Sequence, residues 1–301
     1  MKKNDPLAAA TRDLARRAFA EDLPDVTTDA VFGPKEMVSA RIIAKAEGII
    51  CGLPFLPIVF AELGRGVRVR PRVEDGDRVR KGQIVAEIDG PARLVLAGER
   101  TALNLLQHLS GVSTATSRAV AAARGTRCRI LDTRKTLPGF RLLDKYAVRT
   151  GGGVNHRMGL FDAVLIKDNH VDRAGGLREA IDRVFAHRKG KKKLPIIVEA
   201  RTLSDVDEAL ARPVTQILLD NMDLATTKRA VSRVAGRIPL EASGGMTTDR
   251  IGKVAATGVN FISVGSLTHS APALDLSLDV LPVGRRVRSF PATVRRRGAH
   301  R

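Results

Sequence analysis

Residues 131–171, LDTRKTLPGFRLLDKYAVRTGGGVNHRMGLFDAVLIKDNHV, carry the pattern that decides how this chain folds. Two short apolar runs of strand-like composition, 128–131 and 163–166, begin and divide this stretch. Asp-Thr-Arg-Lys follows the first run and Lys-Asp-Asn-His the second. Because unpaired buried charge is costly, cations gathered at the ends of buried strands predict a polyanionic small ligand. The cationic residues of the stretch are Arg134, Lys135, Arg141, Lys145, Arg149, His156, Arg157 and Lys167.

Outward from this stretch, towards the C-terminus, short Val/Ile/Leu runs alternate with segments of helical periodicity. Such alternation predicts a parallel sheet covered by helices. Each run has polar residues at its C-terminal end, which favours a (β/α) barrel with its chemistry at that rim over an open sheet. One such acid is more often a helix cap, but six coinciding polar ends favour a site. The predicted strands are 129–132, 163–167, 196–199, 216–220, 240–243 and 261–265, and the helices 142–148, 177–188, 203–211, 224–234 and 250–257.

The part of the chain before this stretch predicts a separate α/β sandwich domain. Its predicted elements are a helix at 7–21, a loop at 21–32, a strand at 37–46, a helix at 53–63, a run of hairpins at 66–95 and a helix at 99–124 with a possible break at Gly111. We therefore predict a sandwich domain at 1–110, a barrel domain at 111–281 and a basic, flexible tail at 282–301.

The net charge of +19 invites a nucleic-acid interpretation. However, five cations lie in the segment HRKGKKK at 187–193 and seven arginines in the tail, so most of the surplus is local. Aromatic residues, which form base-stacking platforms, make up only 3% of the chain. Nucleic-acid binding is thus disfavoured.

Cys51 and Cys128 fit no metal or redox spacing and are predicted to be structural thiols. The N-terminal residues contain no apolar signal core, and the most apolar stretch, 49–60, is too short to cross a bilayer and is interrupted by prolines. A cytoplasmic protein without membrane contact is the expectation.

The rim is equipped for two kinds of anion. The glycine-rich turns Ser243-Gly244-Gly245 and 258–266 follow the last two strands, where barrels commonly bind phosphate through backbone N–H groups. Arg134 and Arg157 can grip carboxylates, and Lys135 and Lys167 act as point charges. Glu199 and Asp220 suit Mg²⁺ or sugar hydroxyls, although an internal salt bridge to the rim cations is the alternative. The pattern predicts a site that joins a dicarboxylate to a phosphorylated sugar.

The segments TRKTLPGFRLLDKYAVRTGGGVNHRMGLFDAVLIKDNHV, LLDNM, EASGG and GVNFISVGSLTHSAPALDLSLD resemble the quinolinate phosphoribosyltransferase family. The resemblance runs from about residue 8 to 279. It implies an N-terminal α/β sandwich, an incomplete α/β barrel and a homodimer whose site is completed by the other subunit. The implied reaction converts quinolinate and phosphoribosyl pyrophosphate into nicotinate mononucleotide, pyrophosphate and CO₂, with Mg²⁺, in NAD synthesis.

The resemblance also implies a role for particular residues. Lys135, Lys167, Glu199 and Asp220 would be catalytic, the two acids also meeting Mg²⁺ and the ribose. Arg100 would reach in from the neighbouring subunit. The residues implied around quinolinate are Thr133, Arg134, Lys135, His156, Arg157 and Lys167, and those around the 5′-phosphate are Ser243, Gly244, Gly245, Val264, Gly265 and Ser266, with His269 close by.

Three features depart from the family pattern. Arg201 stands where the family commonly has a second acid, the segment at 187–193 lengthens one connection, and the arginine-rich tail has no counterpart. The nearest alternative enzyme is the molybdenum-transport-associated relative of the same fold, which the intact Arg134-Lys135 and Lys167-Asp168-Asn169-His170 disfavour. A nucleic-acid-binding module on a catalytically inactive scaffold is the alternative of another class, and it predicts missing core positions, none of which is missing.

Overall fold

The computed structural model describes residues 5–188 and 194–282. Most of the HRKGKKK segment and nearly all of the arginine-rich tail lie outside these ranges. The predictions made for them are therefore neither supported nor opposed by the structure.

The first layer is a four-stranded antiparallel sheet with helices packed on it. The segment at 21–32, predicted to be a loop, contains a further short helix. Asp25 caps that helix by accepting a hydrogen bond from the Thr28 backbone N–H, a signal that sequence reasoning overlooked. The elements are α1 (Pro6–Asp22), α2 (Val26–Val31), β1 (Met37–Ala44), β2 (Gly48–Ile49), a 3₁₀ turn (Leu53–Phe55), α3 (Leu56–Ala61), β3 (Arg68–Pro71), β4 (Arg78–Val79) and β5 (Ile84–Pro91). Of these strands, β1, β3 and β5 belong to the four-stranded sheet, whose fourth strand lies at 276–280, and β2 pairs with β4 in a separate two-stranded sheet.

A single long helix, α4 (Ala92–Ala122), joins the two parts of the molecule. The predicted break at Gly111 is wrong, because the helix continues through it. A Cβ atom at Gly111 would lie 2.3 Å from the carbonyl oxygen of Pro272. This glycine therefore permits a close backbone approach, which outweighs its lower helix propensity.

The second layer is a six-stranded, all-parallel sheet with the order β6-β11-β10-β9-β8-β7. From β7 to β11 each strand pairs with its successor in the chain, and the last strand returns to the first, β6. Such an order describes a barrel that is closed except between β6 and β7, which confirms the predicted incomplete barrel. The elements are β6 (Arg129–Leu131), α5 (Arg141–Thr150), β7 (Val164–Ile166), α6 (Asp168–Ala174), α7 (Leu177–His187), β8 (Ile196–Ala200), α8 (Leu203–Leu210), β9 (Gln216–Asp220), α9 (Leu224–Val234), β10 (Leu240–Ser243), α10 (Thr248–Ala255), β11 (Phe261–Ser263) and α11 (Ser266–His269).

The segment at 154–157 lies at the gap in the barrel. Val154 forms a parallel bridge with Leu131 of β6, and its backbone N–H donates to the Ile130 carbonyl. The chain after α5 thus covers part of the edge of β6 that faces the gap, where β6 does not pair with β7. It brings His156 and Arg157 to the barrel interior.

A twelfth strand, β12 (Leu276–Val280), returns to the first layer and pairs antiparallel with β1. The predicted barrel range of 111–281 included this strand, whereas its hydrogen bonds place it in the sandwich sheet. The helices α6 and α11 and the strand β12 were not predicted, since each is short and follows a strand or turn without a long periodic pattern.

Two large hydrophobic cores and one small cluster hold the fold together. One core lies between the first sheet and α4, and the other between the barrel strands and their outer helices; α4 contributes Leu106 to the first and Ala119 to the second. The small cluster comprises Ala163, Ile197 and Leu218. These three line the barrel interior, so much of the space above them is left for polar side chains.

Candidate active site

A cavity of about 840 Å³ opens at the C-terminal ends of the barrel strands. It is lined by side chains from all six strands or the turns that follow them, as the alternating pattern predicted. The structure brings together these predicted residues: Thr133, Arg134, Lys135, His156, Arg157, Lys167, Glu199, Asp220, Ser243, Gly244, Gly245, Gly265, Ser266 and His269.

One half of the cavity is cationic and is held in place by a side chain that sequence reasoning did not assign. Arg141, at the start of α5, donates to the Arg134 carbonyl (2.8 Å) and to the Thr136 hydroxyl (2.8 Å). The carbonyl of Lys135 accepts a hydrogen bond of 2.7 Å from the Thr268 hydroxyl. The turn after β6 is thereby anchored on both sides, so that Arg134 and Lys135 face the cavity from a rigid backbone.

The two arginines of this half, Arg134 and Arg157, form no ion pair with an acid in the described residues. The Nε atom of Arg134 is buried and has no hydrogen-bond partner among the described residues. Burial, and next the nearby charge of Arg134, lower the pKa of Arg157. Two guanidinium groups that repel one another in a partly desolvated place would be stabilised by a ligand with two negative charges.

His156 is the junction of a buried polar network below these arginines. Its backbone N–H donates to Asp132 (2.7 Å) and its carbonyl accepts from Lys145 Nζ (2.9 Å). Lys145 and Asp132 form an ion pair of 2.6 Å in which the side chains are 1% and 0% exposed. Burial raises the pKa of Asp132 and lowers that of Lys145, while their mutual attraction opposes both shifts. The pair clamps the segment that enters the gap in the barrel.

The two acids predicted to meet ribose and metal lie together. Lys167 Nζ is 3.7 Å from Glu199 Oε2, a long ion pair in which the lysine side chain is half exposed. Burial raises the pKa of Glu199, the charge of Lys167 lowers it and that of Asp220 raises it. The internal salt bridge that was the alternative interpretation is therefore present for Glu199, and it leaves Asp220 without an ion-pair partner in the described ranges.

In the described part of the chain, no group of three or more His, Cys, Asp or Glu side chains could hold a metal ion by itself. Mg²⁺ is commonly held by only one or two carboxylates together with substrate phosphates. Glu199 and Asp220 line one cavity and interact electrostatically, so they fit that donor set. Arg201 turns outward to Asp172 (2.9 Å) and is not part of the lining.

The other half of the cavity is built from backbone. Gly244 and Gly245 have φ values of +94° and +56°, a region that favours glycine. Neither of their N–H groups donates a hydrogen bond within the described residues. Arg250 of α10 holds the carbonyls of Gly244 (3.1 Å) and Met222 (3.0 Å). Free N–H groups in a turn shaped by glycines form a concave anion site.

Two predicted residues do not line the cavity of this single chain. Val264 is 3% exposed and its N–H donates to the Leu131 carbonyl (2.9 Å), which leaves no amide hydrogen there for a phosphate. Arg100 lies on α4 with its side chain 62% exposed, 3.8 Å from Glu99. Arg100 is thus available on the surface rather than in the site.

Sequence reasoning missed several lining residues. Glu241, an acid inside the apolar run of β10, is the one that carried a readable signal, because an acid within a buried strand needs a partner. The others are common at turns or in cores and gave none. The missed residues are Leu165, Leu218, Glu241, Met246 and Thr247, whereas Asn221 and Ser263 lie in segments predicted for the rim without an assigned role.

These observations define a two-domain protein with an incomplete (β/α) barrel whose rim presents cations on one side and unengaged backbone N–H groups on the other. The chain belongs to the quinolinate phosphoribosyl transferase family. Its residues 25–110 match the family's N-terminal domain and residues 112–279 its C-terminal domain.

The same family appears among individual relatives. The chain is 44% identical to the nicotinate-nucleotide pyrophosphorylase [carboxylating] of Mycobacterium leprae, over 90% of this chain and 97% of that protein. It is 41% identical to the probable enzyme of that name from Bacillus subtilis, over 89% and 93%. The solved nicotinate-nucleotide pyrophosphorylase of Francisella tularensis superposes with a TM-score of 0.86 at 37% identity, over 92% of this chain and 98% of that one.

No helix in the described residues is long and apolar enough to span a membrane. The cytoplasmic location stays a prediction.

Proposed function

We propose that this chain transfers the phosphoribosyl group of phosphoribosyl pyrophosphate to the ring nitrogen of quinolinate, with release of pyrophosphate and of the 2-carboxylate as CO₂. The product is nicotinate mononucleotide, a precursor of NAD. The observation that supports this most is the pairing of a cationic half and a backbone-amide half on one rim, in a chain of this family. A dicarboxylate would bind at the cationic half of the cavity and a sugar phosphate at the backbone-amide half.

The cationic half would receive quinolinate. Arg134, with its unpartnered buried Nε, and Arg157 are suited to the two carboxylates. Once the ring nitrogen is alkylated, loss of the adjacent carboxylate leaves a carbanion beside a cationic nitrogen. The charges of Lys135 and Lys167 would stabilise that carbon until it takes up a proton.

The acids would act at the ribose. C1′ gains positive character as the bond to pyrophosphate lengthens, and the carboxylates of Glu199 and Asp220 would stabilise it. The same two residues would hold Mg²⁺, which supplies charge neutralisation for the departing pyrophosphate. Because the cavity offers positioning and charge rather than a nucleophile, we infer direct transfer without a covalent enzyme intermediate.

The backbone half would hold the 5′-phosphate. The unengaged N–H groups of Gly244 and Gly245 support this assignment, and Ser243, Gly265 and Ser266 line the cavity beside them. His269 lies close to Gly265, since a Cβ atom added to this glycine would be 3.2 Å from His269 Nε2.

A homodimer is part of the proposal. Arg100 is exposed and outside the cavity of its own chain. It would reach the quinolinate side of the partner's site, adding a cation that the chain does not supply to itself.

The test is product analysis with the purified full chain. Quinolinate labelled at the 2-carboxylate, phosphoribosyl pyrophosphate and Mg²⁺ should give nicotinate mononucleotide and labelled CO₂ in equal amounts. Lys167→Ala should abolish both products, whereas Lys253→Ala, at an exposed lysine outside the cavity, should leave them unchanged. Absence of both products with the unmodified protein would refute the proposal.

A further inference from the structure

Glu241 is a buried carboxylate in the middle of the barrel interior that the mechanism above does not use. It lies on β10, is 0% exposed and yet lines the floor of the cavity. Its neighbours in the strand, Leu240 and Ala242, face the core between the barrel and its outer helices. Glu241 therefore points inward, where an apolar residue would otherwise fill the barrel.

One oxygen of this carboxylate, Oε2, has two polar neighbours. The amide nitrogen of Gln216 on β9 donates to Oε2, and Nε2 of His156 lies 3.3 Å from the same atom. Oε1 has no partner among the described residues. A buried acid with one oxygen unpaired is costly, so its retention here calls for a role beyond packing.

The hydrogen bonds of His156 determine its tautomer. Nδ1 accepts the backbone N–H of Arg157 at 2.7 Å, so Nδ1 carries no hydrogen. The ring hydrogen is therefore on Nε2, the nitrogen that lies 3.3 Å from Glu241 Oε2.

The geometry points to Glu241 as a positioning residue that acts through the His156 ring to hold the backbone of Arg157 beneath the quinolinate site. This inference rests on the proposed function, since quinolinate affinity is its readout. It adds a second role to the predicted contact of His156 with quinolinate, as a link between β10 and Arg157. The ion pair of Asp132 and Lys145 clamps the backbone of His156 on its other side.

The test uses two conservative variants that separate hydrogen-bond geometry from charge. Glu241→Gln keeps the chain length and an oxygen for His156 and Gln216 but removes the charge. Glu241→Asp keeps the charge but withdraws the oxygens from His156 by about one C–C bond length.

We expect Glu241→Asp to raise the KM for quinolinate at least about tenfold, since small displacements of binding groups have large effects. Glu241→Gln should raise it by no more than about threefold, because an oxygen remains at the same reach for the Gln216 hydrogen bond and the His156 contact. The KM for phosphoribosyl pyrophosphate should change in neither variant, since the Glu241 carboxylate accepts from Gln216 and forms no hydrogen bond with the Gly244 or Gly245 N–H groups. Equal effects of the two variants on quinolinate, or equal effects of Glu241→Asp on both substrates, would overturn the inference.

A double-mutant cycle tests the link itself. His156→Phe removes both ring nitrogens at similar volume, and the double variant Glu241→Asp/His156→Phe should be no worse for quinolinate than His156→Phe alone. Losses that multiply would show that Glu241 acts independently of His156 and would refute the link.

The control is Glu87→Gln, at a carboxylate that is 3% exposed and paired with Arg41 and Arg72 in the sandwich sheet. It should lower the melting temperature without changing either KM. If the unmodified protein forms no nicotinate mononucleotide, the proposed function fails; if it does and the variants behave otherwise than stated, only the role of Glu241 fails.

Discussion

Replacing Lys145 by Met removes the cation from an ion pair that water scarcely reaches. The lysine side chain is 1% exposed and Asp132 is 0% exposed, with 2.6 Å between Nζ and Oδ1. Nζ also donates to the His156 carbonyl at 2.9 Å. Met has nearly the same length and volume, so the substitution deletes charge and donors while leaving the packing of α5 largely intact.

The expected cost follows from this burial. Removing one partner of a buried pair leaves an uncompensated charge and costs about 3–5 kcal/mol. The unpaired His156 carbonyl alone would cost about 1–3 kcal/mol, but both losses fall on one network and do not add in full. The free energy of unfolding should therefore drop by about 3–5 kcal/mol at pH 7.

Guanidinium denaturation measures this change, with Arg78→Met as the matched control. Arg78 also forms a short ion pair, 2.6 Å to Glu47, but those side chains are 64% and 59% exposed. Exposed pairs contribute at most about 1 kcal/mol. The two ion pairs are equally short and differ chiefly in burial, although Lys145 also donates to the His156 carbonyl.

The deficit of Lys145→Met should also depend on pH. Burial raises the pKa of Asp132 above its ordinary 3.8, and the charge of Lys145 counteracts this. Without the lysine the pKa in the folded state rises further, so folded Asp132 binds a proton more readily than unfolded Asp132. The loss of stability should then be largest above that raised pKa and shrink as the pH falls through it towards 3.8.

A loss below 1 kcal/mol, equal to that of Arg78→Met, would refute the argument that burial makes this pair important. A deficit that grows as the pH falls would refute the assignment of the uncompensated charge to Asp132.

Three further predictions concern the site. Arg134→Ala should weaken quinolinate binding by about 2–5 kcal/mol in calorimetric titration without unfolding the protein, because the buried Nε of Arg134 serves no protein partner; quinolinate affinity near that of the unmodified protein would count against the assignment. Mixing Arg100→Ala subunits with Lys167→Ala subunits should restore activity, since a mixed dimer would contain one intact site, whereas activity absent from every mixture would indicate sites within one chain. Gly244→Ala should raise the KM for phosphoribosyl pyrophosphate, because φ is +94° and the new Cβ would lie 2.0 Å from Asn221 Oδ1; Gly82→Ala, with φ of +84° and open space around it, should cost stability by about 1–2 kcal/mol with no change in that KM.

The periodicity of the sequence was enough to predict the barrel. Parallel strands buried on both faces read as short apolar runs, and all six predicted strands overlap β6 to β11 in the structure. The rim followed from the same pattern, because parallel strands present their C-terminal ends at one edge. Thus Lys167, Glu199, Asp220 and Ser243 could be placed in one cavity before any coordinates were known.

Contacts between distant segments were beyond that reasoning. The unbroken course of α4 through Gly111 depends on the approach of Pro272, and the pairing of β12 with β1 joins residues more than two hundred positions apart in the chain. Neither leaves a local trace, since a glycine or a short strand has the same composition whichever partner it meets.

The polar interior of the barrel shows most clearly which properties follow from the sequence and which depend on the tertiary structure. Lys145 looked like one more rim cation, yet the fold buries it against Asp132 and makes it structural. His156, predicted to contact quinolinate, lines the cavity and also accepts the Arg157 N–H and lies 3.3 Å from Glu241, a neighbour that the sequence did not indicate. Residue type and spacing determined which strands form the site and that cations and glycine-rich turns lie at its rim. Only the tertiary structure decided which charges face the cavity and which neutralise one another beneath it, because burial and pairing depend on neighbours that the chain brings together only on folding.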